Sequence, residues 1–114
     1  MDLSLETIGD VALATVPVEE LDAGNVGDFK QSIAGVVDTQ TKLVIDLDRV
    51  RFLDSSGLGA LLSCLKRLNA RGGDLRLCGL STQVRTVVEL VRLHKVVGIY
   101  PNRADAVASF AVPR

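Results

Sequence analysis

The chain has 114 residues, 47% of them apolar, and a formal net charge of −1, which predicts one domain with a modest hydrophobic core. This charge balance, without a Lys/Arg-rich run, argues against a nucleic-acid partner. No apolar run is long enough to span a membrane, and residues 1–6 lack the basic start of a signal peptide. A cytoplasmic protein without a membrane partner is therefore expected.

The cysteine and histidine content predicts no metal site and no cofactor. Cys64 falls in a leucine-rich segment and Cys78 at the end of a predicted strand, with no CxxC pattern. Both thiols are expected in the core, and a disulfide is not expected in the cytoplasm.

The first part of the chain predicts a β-hairpin and then a helix. Leu3, Leu5 and Thr7 alternate with polar residues, and an apolar run at 11–16 follows Gly9 and Asp10, a two-residue turn. Residues 19–25 form a polar loop. The helix that follows has these apolar positions on one face: Val26, Phe29, Ile33, Val36 and Val37.

The remainder predicts alternating strands and helices. A buried strand at 43–47 and a connection at 48–53 come first. The leucine helix that follows ends near residue 70 at a Gly-Gly stop, and its apolar stripe is Leu58, Leu61, Leu62, Leu65 and Leu68. The later elements are a strand at 75–80, a helix opened by Ser81 and Thr82 with Val84, Val87, Val88 and Val91 on one face, a strand at 96–100, and a helix at 104–110.

The resulting order, ββαβαβαβα, predicts an α/β fold. Strands that alternate with helices imply a partly parallel sheet covered by helices, and the opening hairpin adds an antiparallel strand. No repeat or linker interrupts the chain, so residues 1–114 are predicted to form a single domain.

The most informative segment is the turn between the strand at 43–47 and the leucine helix, Asp54-Ser55-Ser56-Gly57-Leu58-Gly59. The hydroxyls of Ser55 and Ser56 lie where a helix begins, and helix starts have unpaired N–H groups and partial positive charge. A phosphate there would change the local charge by roughly −1.5 to −2. Serine is also a favoured N-cap, so one serine could cap while its neighbour is modified.

An enzymatic function has little support in the sequence. His94 is the single histidine and lies near a predicted helix end, where it is interpreted as a surface residue. Neither serine lies in a G-x-S-x-G elbow, and no G-x-x-x-x-G-K loop is present. The chain is therefore expected not to be an enzyme.

Four stretches resemble the STAS domain, and more narrowly the bacterial anti-sigma factor antagonists: residues 46–47, residues 52–59, the glycine pair at 72–73 and the strand at 75–78. The resemblance covers nearly the whole chain, and its Asp-Ser-Ser-Gly-Leu core is fairly specific within that fold. It implies a single STAS-type domain, with a mixed sheet and helices packed on one side.

The resemblance also implies a function. Its phosphorylated residue is the serine directly after the aspartate, which is Ser55 here. In such a system a GHKL-type Ser/Thr kinase, which doubles as the anti-sigma factor, phosphorylates the antagonist, and a PPM-type metal-dependent phosphatase removes the phosphate. The unphosphorylated form binds the kinase and releases the sigma factor, whereas the phosphorylated form does not bind.

The residues beside Ser55 have alternative roles. Asp54 could repel the phosphate, hold the hydroxyl, contact the kinase or serve only as a turn or cap residue. Ser56 is interpreted as a cap or hydrogen-bonding helper. Gly57 and Gly59 could admit a partner's backbone, or could serve only to pack the helix tightly on the sheet.

The predicted partner surface combines the serine turn with a loop and part of the leucine helix. Its members are Glu20, Leu21, Asp22, Lys66 and Arg67. The loop at 22–25 lacks the bulkier polar residues of the sporulation branch, which leaves the partner and the output pathway open. The alternative is a non-enzymatic STAS-fold subunit of a transporter or signalling scaffold that uses this surface without phosphorylation.

Overall fold

The computed structural model describes residues 1–111 as a mixed five-stranded sheet with helices on both faces. A short 3-10 turn at Leu93–Lys95 lies between the last long helix and the last strand. The strands and helices are, in chain order, β1 (Ser4–Ile8), β2 (Val11–Thr15), β3 (Glu20–Leu21), α1 (Val26–Thr39), β4 (Lys42–Asp46), β5 (Phe52–Leu53), α2 (Ser55–Ala70), β6 (Asp74–Cys78), α3 (Thr82–Leu90), β7 (Gly98–Tyr100) and α4 (Arg103–Ser109).

The sheet has the strand order β1-β2-β4-β6-β7 and confirms the predicted mixed α/β fold. The hairpin strands β1 and β2 are antiparallel, and Gly9 takes a left-handed φ of 62° in their turn. The remaining neighbours pair in parallel, as strand–helix–strand connections require. All carboxyl ends of the parallel strands therefore point to the edge at which α2 begins.

Two predicted loops contain strands that the sequence analysis missed. β3 and β5 pair in parallel as a separate two-stranded sheet, with Glu20 opposite Phe52 and Leu21 opposite Leu53. The prediction of a plain loop at 19–25 and a plain connection at 48–53 was therefore wrong. Two-residue strands are too short to show a periodicity, and their pairing joins segments that are distant in the sequence.

The main core lies between the sheet and the helices α1, α2 and α3. Alternate sheet residues such as Ala14, Ile45 and Leu77 point to this face and are buried. The predicted apolar helix faces supply the other side of the core, with these residues buried: Phe29, Ile33, Val37, Leu61, Leu65, Leu68, Val84 and Val88.

The short helix α4 covers the opposite face of the sheet, so the prediction of helices on one side holds for α1, α2 and α3 and is wrong for α4. Its Ala106 packs against Leu13, Val44 and Cys78. Parallel strands in the middle of a sheet are apolar on both faces, and the second face also needs a cover.

Both cysteines are buried free thiols, as predicted. His94 differs from the prediction, because it is half-buried within the 3-10 turn, and its Nδ1 atom is buried without a hydrogen-bond partner among residues 1–111. In that same range, no helix combines the length and apolar character needed to cross a membrane.

Candidate functional site

Asp54 is the residue that caps α2. Its Oδ1 accepts a hydrogen bond from the backbone N–H of Gly57 at 3.0 Å, the usual N-cap geometry. Its Oδ2 accepts a second bond, at 3.1 Å, from the N–H of Ala23, 31 residues earlier in the chain. The same carboxylate therefore orders the start of α2 and ties it to the loop before α1, and the capping role considered for Ser56 was wrong.

The loop before α1 is held by its own side chains. Asn25 accepts a bond from the N–H of Asp22 at 3.0 Å and donates one to the carbonyl of Glu20 at 2.7 Å. The Asp22 carboxylate accepts from the N–H of Gly24 at 2.9 Å. Because these bonds satisfy the backbone locally, the loop presents a defined surface beside the start of α2.

Ser55 is the first residue of α2 and is exposed, whereas Ser56 is half-buried. The Ser55 hydroxyl forms no hydrogen bond within residues 1–111, and because the residue is exposed, an approaching enzyme can reach it. Exposure therefore favours Ser55 over Ser56 as a modification site.

Gly57 is required for internal packing. A Cβ at this position would lie 2.6 Å from the carbonyl oxygen of Leu21 and 2.5 Å from Cδ1 of Leu53. Of the two roles considered for Gly57, tight packing within the protein is the one that the structure shows. Gly59 has open space around its Cα, so a partner can approach there.

A groove of about 390 Å³ begins at Ser55 and runs between α2 and the segment after α3. Leu62, Val91 and Val96 are 37%, 56% and 53% exposed, which is unusual for such large apolar side chains next to one another. We call this surface the apolar groove; its lining residues are Ser55, Leu58, Gly59, Leu62, Val91, Arg92, Leu93 and Val96.

Sequence reasoning missed the apolar groove, because Leu62 and Val91 belong to stripes that were predicted to be core. In the structure Leu62 is exposed although Leu61 and Leu65 are buried, and Val91 follows the last residue of α3. The sequence pattern carried no signal for this exposure, because periodicity identifies an apolar helix face but does not show which of its positions another element covers.

The predicted partner residues are only partly brought together. Glu20 is exposed and Asp22 half-exposed, and the bond between Asp54 and Ala23 holds their loop beside Ser55. Leu21 is fully buried, so its predicted contact with a partner is corrected to a supporting role under α2.

Lys66 and Arg67 lie three turns along α2 from Ser55 and point in different directions. Lys66 is 11 residues from Ser55, which at 100° per residue places it on the same stripe, about 16 Å away. Arg67 lies about 120° around the axis from Ser55 and forms an ion pair with Asp38 of α1. The surface around Ser55 therefore extends to Lys66 and not to Arg67.

Comparisons with known proteins agree with this architecture. An anti-sigma F factor antagonist from Paenibacillus polymyxa is 33% identical over 70 residues, which are 61% of this chain and 60% of that protein. An anti-sigma-B factor antagonist from Staphylococcus aureus is 28% identical over 95 residues, 82% of this chain and 88% of that protein.

A solved structure shares this fold, and a family model matches the sequence. The crystal structure of an anti-sigma factor antagonist from Mycobacterium paratuberculosis superposes with a TM-score of 0.88 at 28% identity, covering 97% of this chain and 94% of that one. The model of the STAS domain matches residues 2–106. The chain therefore belongs to the STAS domain family.

Proposed function

We propose that this protein is an anti-sigma factor antagonist that binds a GHKL-type Ser/Thr kinase and is switched off by phosphorylation of Ser55. The observation that carries this proposal is an exposed, unbonded serine at the rim of an exposed apolar groove. The names of the relatives support the antagonist role, and the accessible hydroxyl supports the covalent switch.

The proposed chemistry needs little from this chain beyond a reachable hydroxyl. The kinase would transfer the γ-phosphoryl group of ATP to Oγ of Ser55, so that a new Oγ–P bond forms as the bond to ADP breaks. A base on the kinase takes the hydroxyl proton. A PPM-type phosphatase would hydrolyse the phosphoester and restore the serine.

The site explains how a phosphate could block binding without unfolding the protein. In the unmodified state, apolar side chains of the kinase would fill the groove beside a small neutral serine. After phosphorylation, a dianion at the rim could enter that interface only at a large desolvation cost. Asp54 would keep the cap on α2 in both states, because its two bonds do not involve Ser55.

The first test is the position of the phosphate. Incubation with the cognate kinase and ATP should add one phosphate to the wild type and to Ser56→Ala, and none to Ser55→Ala. Tandem mass spectrometry should place the group on Ser55. A phosphate found on Ser56 alone would refute the assignment, and no phosphate with any GHKL-type kinase encoded beside the gene would favour the alternative of a constitutive STAS subunit.

A further inference from the structure

Arg92 is a cation that lines the apolar groove and is unpaired within residues 1–111. Arg92 lines the same groove as Ser55 and is exposed. Its side chain forms no ion pair or hydrogen bond within residues 1–111, unlike Lys42, Arg67 and Arg103, which pair with carboxylates. A free cation is therefore available on the groove side of Ser55.

The acidic residues near Ser55 do not line the apolar groove. The Asp54 carboxylate is fixed by the N–H groups of Gly57 and Ala23 and cannot swing away. Asp22 lies in the loop that this carboxylate holds and Glu20 lies in β3 just before it, and neither lines the groove. A phosphate on Ser55 would be repelled by the fixed Asp54 carboxylate and attracted toward Arg92.

We propose that phosphorylated Ser55 forms an ion pair with Arg92 and that this pair closes over the apolar groove. A guanidinium group binds a phosphate with two parallel hydrogen bonds, and the long arginine side chain can turn toward the rim. The closed pair would cover Leu58, Leu62 and Val91, so the modified protein would lose its docking surface as well as gain charge. We call this closed ion pair between phosphorylated Ser55 and Arg92 the latch. Because it requires phosphorylation of Ser55, it rests on the function proposed above.

The latch can be tested without a kinase by incorporating phosphoserine at position 55 during synthesis. A cation beside the phosphate favours its dianion and so lowers its second pKa, which is ordinarily about 6. Phosphorus NMR titration should give a pKa about half a unit lower in the wild-type background than in Arg92→Gln. Arg92→Lys should retain part of the shift, because it keeps the charge without the planar fork.

Lys95→Gln is the matched control, since Lys95 is an exposed cation of the adjacent 3-10 turn that does not line the groove. It should leave the phosphate pKa at the wild-type value. Equal pKa values with and without Arg92, or an equal rise in Lys95→Gln, would overturn the latch.

A second measurement detects whether the groove closes. Methyl NMR resonances of Leu62 and Val91 should shift on phosphorylation in the wild-type background and shift much less in Arg92→Gly, a variant that also accommodates the left-handed backbone at this position (φ 62°). Identical shifts in both backgrounds would contradict closure over the groove. A kinase that ignores Ser55 would refute the proposed function, whereas these measurements refute the latch alone.

Discussion

Asp54 is the residue on which the geometry of the site most depends, because its carboxylate accepts from two backbone N–H groups in different segments. We expect Asp54→Ala to lower the free energy of unfolding by about 1–2 kcal/mol, since a lost cap alone costs about 1 kcal/mol and the Ala23 N–H loses its acceptor. Asp54→Asn retains one acceptor and should lose less. Urea denaturation measures both, and an unchanged Asp54→Ala would mean that the two bonds contribute nothing.

Alanine substitutions at Gly57 and Gly59 can be compared directly, because both residues lie in the first turns of α2. Gly57→Ala should destabilise the protein by about 1–3 kcal/mol, because its Cβ would meet the carbonyl of Leu21 at 2.6 Å. Gly59→Ala enters open space in the same helix and should stabilise by about 0.5–1 kcal/mol. Chemical denaturation of the two variants should give shifts of opposite sign, and equal shifts would contradict the packing described for Gly57.

Ser55 itself can be tested through binding. Ser55→Ala keeps the groove rim small and neutral, so it should bind the cognate kinase and stay insensitive to ATP. Ser55→Glu adds one charge, less than the phosphate's roughly −1.5 to −2, and should weaken binding severalfold. Both variants should fold, as checked by circular dichroism, because the position is exposed. Wild-type affinity for both in calorimetric titrations would exclude a charge switch.

At the scale of the element, α2 has two distinct faces. Leu61, Leu65 and Leu68 anchor it to the sheet and to α1. The stripe that begins at Ser55 faces outward through Gly59 and Leu62 and reaches Lys66. Because one face is packed into the core, the residues of the other face are held in fixed positions relative to Ser55.

Charge reversal along α2 tests the extent of the proposed docking surface. A partner that rejects a dianion at Ser55 is expected to be acidic or apolar there, so Lys66→Glu should slow association severalfold and reduce its salt dependence. Arg67→Glu should have a smaller effect, because Arg67 is turned toward Asp38. Stopped-flow kinetics with the kinase compares the two, with Asp22→Lys reporting on the loop. Unchanged rates in all three would place the interface elsewhere.

The molecule as a whole encloses both thiols. Burial raises the pKa of Cys64 to about 11 and that of Cys78 to about 12, from an ordinary value of 9.0. Below pH 9.0 the thiols are protonated in the folded and unfolded states and have no effect on the pH dependence. Above it only the unfolded thiols ionise, so stability should fall as pH rises toward the folded values.

The expected loss is about 1 kcal/mol per thiol at pH 10 relative to pH 8. Urea denaturation at the two pH values should therefore show a steeper decline in the wild type than in the Cys64→Ala and Cys78→Ala variants. Equal declines would mean that the thiols ionise equally in the folded and unfolded states.

Local patterns were sufficient to predict much of this protein. The Gly9 turn, the alternation of strands and helices, the apolar helix faces and the serine at the start of α2 all follow from residues close together in the chain. The Asp-Ser-Ser-Gly motif was also enough to indicate the STAS family, which the family match confirms. These features are short-range, and periodicity and turn chemistry encode them directly.

Other features depended on contacts between distant segments. The hydrogen bond that the Ala23 N–H donates to Asp54 and the pairing of β3 with β5 join residues 31 or more positions apart. The packing of α4 on the second face of the sheet likewise depends on distant segments. Periodicity shows that a helix face is apolar, but only packing decides whether another element covers it. For that reason Leu21 proved to be core, while Leu62 and Val91 line an open groove beside Ser55.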